Sequence, residues 1–166
     1  SPLLARKDGD EVRVLLSLVE PERLKRVLSR MFDSEEFLSA FGIRSLSASY
    51  RDGITYEIDG RSLYIEYEPG ESRTGMFGGN SNWRGPIWFP VNVLLADKLR
   101  AYGRHYGDSF TIEIPTGSGN HCTLTAAADL IDNGLASLFR PVNGKRPADG
   151  DRIESSDDPL WSVHPT

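Results

Sequence analysis

Between positions 68 and 88 the chain gathers Glu68, Glu71, Arg73, Asn82, Trp83, Arg84 and Trp88. Carboxylates, an amide and guanidinium groups can each grip paired hydroxyls, and flat indole rings can cover the apolar face of a sugar. A concave site lined in this way suits a small saccharide or glycoside. Glu68 and Glu71 also raise the idea of an acid/base pair, because glycoside hydrolysis uses two carboxylates. Two carboxylates so close in sequence seldom flank opposite faces of a sugar. A binding role, or an ion pair of Glu71 with Arg73 or of Glu68 with Arg84 that fixes the loop, is therefore the preferred reading of the glutamates. For the tryptophans, filling a core is as good an account as touching a ligand, since aromatic rings are large core fillers.

Other chemistries are poorly supplied. His105, His121 and His164 are scattered, and Cys122 is the only cysteine, so no zinc-ligand spacing appears and no internal disulfide can form. His121 beside Cys122 is weak support for a thiol nucleophile, because such pairs must meet in space rather than in sequence. No phosphate-binding glycine motif and no Gly-X-Ser-X-Gly elbow is present. No cofactor is implied. With 24 acidic against 19 basic residues the net charge is −5, which offers no footprint for nucleic acid. No apolar run approaches the roughly 20 residues that span a bilayer, and no secretory leader opens the sequence, so no membrane partner is expected and the location reads as cytoplasmic. Ser1 in place of Met implies a processed or cut N-terminus.

The candidate residues need elements to hold them. The stretch from Gly75 to Pro90 reads as a glycine-rich loop, with Asn80, Ser81 and Asn82 as turn formers and Pro86 suited to a first helical turn. A helix is expected from Pro86 or Pro90 to Tyr106, with Val91, Leu94, Leu95, Leu99, Tyr102 and Tyr106 on its apolar face and Gly107 as its stop. Upstream, Leu24, Val27, Leu28, Met31 and Phe32 recur at helical spacing after Pro21 and form one buried face. Asp33 or Ser34 should cap a further helical turn through Leu38. Residues 41–46 read as an irregular, partly buried connection, and Val12–Leu18 as an apolar run that periodicity cannot assign. Ile54, Tyr56 and Ile58 alternate, as do Leu63 and Ile65, around Asp59-Gly60. That pattern predicts a hairpin facing Ile54 with Ile65 and Tyr56 with Leu63, its apolar side turned to the helices. Phe110, Ile112 and Ile114 suggest an extended piece. Thr123 is a good N-cap for a helix carried by Leu124, Ala128, Ile131, Leu135 and Leu138. Residues 141–166 read as a surface excursion and a truncated end.

Phe41-Gly42-Ile43-Arg44-Ser45-Leu46-Ser47, Tyr67-Glu68-Pro69-Gly70-Glu71-Ser72-Arg73-Thr74-Gly75 and Phe77-Gly78-Gly79-Asn80-Ser81-Asn82-Trp83-Arg84-Gly85-Pro86-Ile87-Trp88-Phe89-Pro90-Val91-Asn92 resemble the C-terminal catalytic region of bacterial glycoside hydrolase family 63 glucosidases. These enzymes are mannosylglycerate-hydrolase-like and related to the oligosaccharide-processing glucosidase of eukaryotes. Tyr106-Gly107-Asp108 and Pro115-Thr116-Gly117-Ser118-Gly119 resemble the same proteins, so the likeness runs from about residue 22 to 161. The resemblance implies a mainly α fold, an arc of an (α/α)6 toroid of the six-hairpin glycosidase type with a β-hairpin insertion, the whole chain 1–166 being a fragment of one such domain. It also implies inverting hydrolysis of α-linked glucosides. Trp83, Arg84 and Trp88 would belong to the wall of the sugar site, with Glu68, Glu71, Arg73 and Asn82 beside them. The family's acid lies in an Asp-Gly-Thr-type motif and its base in an aromatic-rich segment, and neither pattern occurs here. Both carboxylates are therefore expected outside this chain, on the remainder of a longer polypeptide. A carbohydrate-binding module without catalysis is the alternative.

Overall fold

A computed structural model describes residues 3–8, 11–69, 86–143 and 146–149. Among them, three α-helices are interleaved with four two-stranded antiparallel sheets. The chain begins with β1 (Leu3–Asp8) paired to β2 (Glu11–Leu16), Leu3 opposite Leu16 and Asp8 opposite Glu11. Next come α1 (Pro21–Met31), the short pair β3 (Leu38–Ser39) and β4 (Gly42–Ile43), and the hairpin β5 (Ile54–Ile58) with β6 (Arg61–Ile65). The long helix α2 (Phe89–Tyr106), the pair β7 (Thr111–Glu113) and β8 (His121–Thr123), and α3 (Leu124–Ser137) complete the frame.

This architecture corrects the expectation of a mainly α arc of an (α/α)6 toroid. Along the described residues each α-helix is separated from the next by at least one two-stranded antiparallel sheet, and only three α-helices are present among them. The reason lies in short segments. Two-residue strands such as β3 and β4 have no period to detect, β1 runs from three apolar residues into three charged ones without alternation, and β2 alternates only from Glu11 to Val14.

The helices themselves form where periodicity places them. Pro21 opens α1, Leu24 and Leu28 are buried along it, and Phe32 beyond its end is fully buried. Val27, expected on the same face, is 52% exposed. The expected turn of helix after Asp33 is instead a series of tight turns, in which Asp33 Oδ1 accepts from the Glu35 N–H at 2.9 Å and the chain passes directly into β3. On α2, Leu99 is buried but Leu94 is 59% exposed, so the apolar seam is narrower than the sequence suggests. The helix ends at Gly107, whose N–H donates to Gly103 O at 2.8 Å. Thr123 caps α3 as expected, its hydroxyl oxygen accepting from the Ala126 N–H at 3.2 Å.

One core joins these pieces. Leu24, Leu28 and Phe32 of the α1 region meet Ile112 and Ile114 around β7, and Leu124, Ala127, Ala128 and Ile131 of α3 are completely buried among them. The helices α2 and α3 pack against each other, and Arg100 ties them at the surface through Asp129 at 2.6 Å and Asp132 at 2.7 Å. At Gly134 the backbone of α3 lies so close to the β3–β4 turn that a Cβ would stand 2.9 Å from the carbonyl carbon of Phe41. Close packing of this kind demands glycine.

The β5–β6 hairpin has the expected register, Ile54 opposite Ile65 and Tyr56 opposite Leu63, and Asp59 (φ 50°) and Gly60 (φ 72°) make its turn. Its expected packing onto the helices is not found. Every residue of β5 is exposed, Ile54 at 42% and Tyr56 at 39%. Alternation reports that one face is apolar, not that anything within the chain covers it. Of the segment 141–166, residues 141–143 are exposed, Arg146 and Pro147 are half-buried with the Ala148 N–H donating to Leu138 O at 2.9 Å, and residues 144, 145 and 150–166 lie outside the described residues.

Candidate functional site

Of the seven residues singled out by sequence, Glu68 and Trp88 fall within the described structure. Glu71, Arg73, Asn82, Trp83 and Arg84, with the rest of the glycine-rich loop at 70–85, lie outside it. Glu68 is buried at 8% exposure, which is unusual for a carboxylate. Trp88 is half-buried and stands at the N-cap of α2 in an extended conformation.

The two are brought toward one short segment, residues 43–50. On the side of Glu68, the Tyr67 N–H donates to Tyr50 O at 2.9 Å, and the Tyr67 hydroxyl accepts from Arg44 Nε at 3.2 Å. On the side of Trp88, Ile87 forms an antiparallel bridge with Arg44, and Pro86 O accepts from the Ser45 N–H at 2.9 Å and from the Ser45 hydroxyl at 3.2 Å. The backbone leading into residues 70–85 and the backbone leaving them are thus both fastened to the exit of β4.

Asn92, one turn into α2, supplies the third tie. It is 1% exposed, and its Oδ1 accepts from the Ile43 N–H at 2.7 Å, while its Nδ2 donates to Ile43 O at 2.9 Å and to Trp88 O at 3.1 Å. The amide reproduces for Ile43 the pairing a neighbouring strand would give. Gly42 (φ 124°) makes room for it, since a Cβ there would come within 2.8 Å of Asn92 Oδ1.

Arg44 itself is caged by backbone oxygens. Nη1 donates to Ser34 O at 2.9 Å, to Glu36 O at 3.3 Å and to Leu38 O, and the guanidinium lies 5.6 Å from the centre of the Tyr67 ring. Glu36 extends this cluster, its carboxylate taking Arg30 at 2.7 Å and the buried Ser47 hydroxyl at 2.5 Å. Arg44, Tyr67 and Asn92 stand within the family-like segments, but sequence reasoning gave them no role in the site. Their bonds span 23 and 49 residues, and no local pattern announces such a partnership.

The other candidate chemistries separate in space. Cys122 and His121 are consecutive in β8, so their side chains leave opposite faces. His121 is exposed, and burial pushes the half-buried Cys122 thiol up from its ordinary pKa. The loop at 116–120 is organised by Glu113, whose carboxylate accepts from the Gly119 N–H and is held below its usual range first by that bond and then by the Gly117 N–H. Among the described residues no group of three or more His, Cys, Asp or Glu is placed to hold a metal ion, and no helix is long and apolar enough to cross a membrane. A shallow groove of about 480 Å³ between β3 and α3 is lined by Leu38, Ser39, Ala40, Leu130, Asn133, Gly134 and Ser137, and neither Glu68 nor Trp88 is among its lining residues.

The region just described falls inside a recognisable family. The model of the glycosyl hydrolase family 63 C-terminal domain matches residues 12–114. The chain belongs to glycosyl hydrolase family 63. Its matched span runs from β2 through β7 and includes Arg44, Glu68, the whole 70–85 stretch, Trp88 and Asn92. The chain is also 47% identical over 143 residues to the uncharacterized protein YMR196W of Saccharomyces cerevisiae, an alignment covering 84% of this chain. It spans only 13% of the length of that relative. No solved structure matches it.

Proposed function

We propose that this chain is part of a glycoside hydrolase that cleaves α-linked glucosides or related saccharides, of an α-glucosidase or mannosylglycerate-hydrolase-like kind. In this reading the segment forms part of the wall of the sugar site. The observation that carries it is the family match across residues 12–114, which takes in the buried Glu68, Trp88 and the loop between them. Trp88, with Trp83, would cover the apolar face of a sugar ring, and Arg84 and Asn82 would bond its hydroxyls. Glu68, Glu71 and Arg73 would bind beside them or hold the loop.

Inverting hydrolysis needs a carboxylic acid to protonate the leaving oxygen and a carboxylate to activate water on the opposite face, about 6.5–9.5 Å away. Both are assigned to the remainder of the longer polypeptide. This segment contributes binding and orientation, and with them exclusion of bulk water.

The test is sugar release by the full-length protein from a panel of α-linked gluco-disaccharides, an aryl α-glucoside and mannosylglycerate, with the anomer of the first product read by NMR. Release of the inverted anomer is expected, and its loss of at least tenfold in kcat/KM on Trp83→Ala. Retention of configuration would overturn the mechanism. An inactive full-length protein that still binds these sugars would overturn the hydrolase reading.

A further inference from the structure

Arg44 is the residue that joins the described segments on either side of residues 70–85. Its side chain reaches Tyr67, the neighbour of Glu68, and its backbone bridges Ile87, the neighbour of Trp88. The guanidinium is in turn immobilised by the carbonyls of Ser34, Glu36 and Leu38, and its own N–H donates to Phe37 O at 2.8 Å. A planar group with donors on Nη1 and Nε serves both the carbonyl cage and the Tyr67 hydroxyl at once. An ammonium is a point charge on a flexible stem and cannot present that fork. Such effort on one half-buried side chain is out of proportion to a plain loop contact, because three acceptors in the 34–38 turns and one hydroxyl 23 residues away are locked together through it.

We propose that Arg44 is the positioning residue of the site: through Tyr67 on one side and the Ile87 bridge on the other, it sets the register of Glu68 against Trp88 and so the shape of the wall that receives the saccharide. The inference rests on the reading of this segment as sugar-site wall. Arg44 touches no substrate in this account and acts through the backbone it holds.

Two conservative variants isolate the role. Arg44→Lys keeps the charge and can still satisfy carbonyls, but loses the bond to Tyr67. Tyr67→Phe keeps the ring and removes only the hydroxyl. In the full-length protein both should raise KM for the saccharide about tenfold and leave kcat within about threefold, since a misplaced wall weakens binding of substrate and transition state alike. The pH profile should not move, because the acid and base are elsewhere. The double variant should be no worse than either single one, because both remove the same link. A merely structural role would instead reduce the active fraction, lowering kcat at constant KM, and that result would overturn the proposal.

A second readout does not depend on activity. Hydrogen exchange at the Tyr67 amide, bonded to Tyr50 O, should speed up about tenfold in Arg44→Lys, while the Ser45 amide, held by the backbone pairing that lysine keeps, and core amides of α3 are unchanged. If the wild-type protein neither cleaves nor binds any saccharide, the sugar-site reading falls, and exchange alone then decides. Faster exchange at the Tyr67 amide sustains the Arg44 side chain as what holds that flank, and unchanged exchange there overturns it.

Discussion

Asn92 does with one side chain what a paired strand would do with a backbone, and the consequence can be measured. Replacing it with Ala strands the Ile43 N–H and carbonyl in a buried position. Each unsatisfied buried group costs about 1–3 kcal/mol, so a loss of about 3 kcal/mol is expected, seen as a drop in the thermal midpoint of the protein. A change within the scatter of surface substitutions would show that water takes over the amide's bonds. Asn92→Asp should be no rescue, because a carboxylate cannot donate to Ile43 O or Trp88 O. At Arg84 the expectation concerns function. Arg84→Lys should lower kcat/KM on the cleaved saccharide at least tenfold, because Lys lacks the flat fork that grips paired hydroxyls. Wild-type kinetics for that variant would remove Arg84 from the site. The contrast between these residues explains what the sequence could show. Tryptophans and an arginine in a glycine-rich loop attract attention by type alone. A buried asparagine inside a helix does not, since its role is set by a strand 49 residues away.

At the scale of elements, the local rules held at several local signals and failed at Asp33, where tight turns replace the expected helical turn. Proline opened α1, Thr123 capped α3, Gly107 ended α2, and Asp59-Gly60 fixed the register of β5 and β6. What escaped was pairing between short strands, as in β3–β4, whose existence depends on α3 pressing Gly134 against the turn and on Asn92 filling the space over Gly42. The β7–β8 hairpin carries a pH-dependent element of its own. Glu113 is held below the usual carboxylate range in the folded state by backbone donors in the loop. A depressed folded-state pKa contributes stability that is fully present above the unfolded value and is lost as pH falls through the folded one. Glu113→Gln should therefore lower the thermal midpoint at neutral pH, and the gap from wild type should close as pH drops below the carboxylate range. A gap that stays constant with pH would place its origin in packing rather than in the charge.

For the whole molecule, the decisive quantity is how much apolar surface is left uncovered. Val12, Val14 and Leu16 on alternate positions of β2 are 64%, 55% and 75% exposed, Leu18 is 88% exposed, and Phe89, Val93 and Leu94 of α2 add 40%, 46% and 59%. Single exposed leucines are ordinary, but contiguous apolar faces of this kind mark surfaces meant to be covered. Periodicity could identify these faces as apolar. It could not say whether strands, helices or other parts of a longer polypeptide cover them, and the projected toroid was an answer to that question which the hairpins overturn. The chain spans 13% of its yeast relative, and the proposed reaction places acid and base beyond it. The 166-residue chain tested alone should therefore release no sugar from any α-glucoside. Losing either general acid or general base removes about 10²–10⁴-fold of rate, and here both are assigned elsewhere. The measurement is glucose or mannose released by the purified chain against a heat-killed control, beside the full-length protein on the same substrates. Turnover by the isolated chain at the full-length rate would place the acid and base within it, and Glu68 and Glu71 would be the first pair to replace.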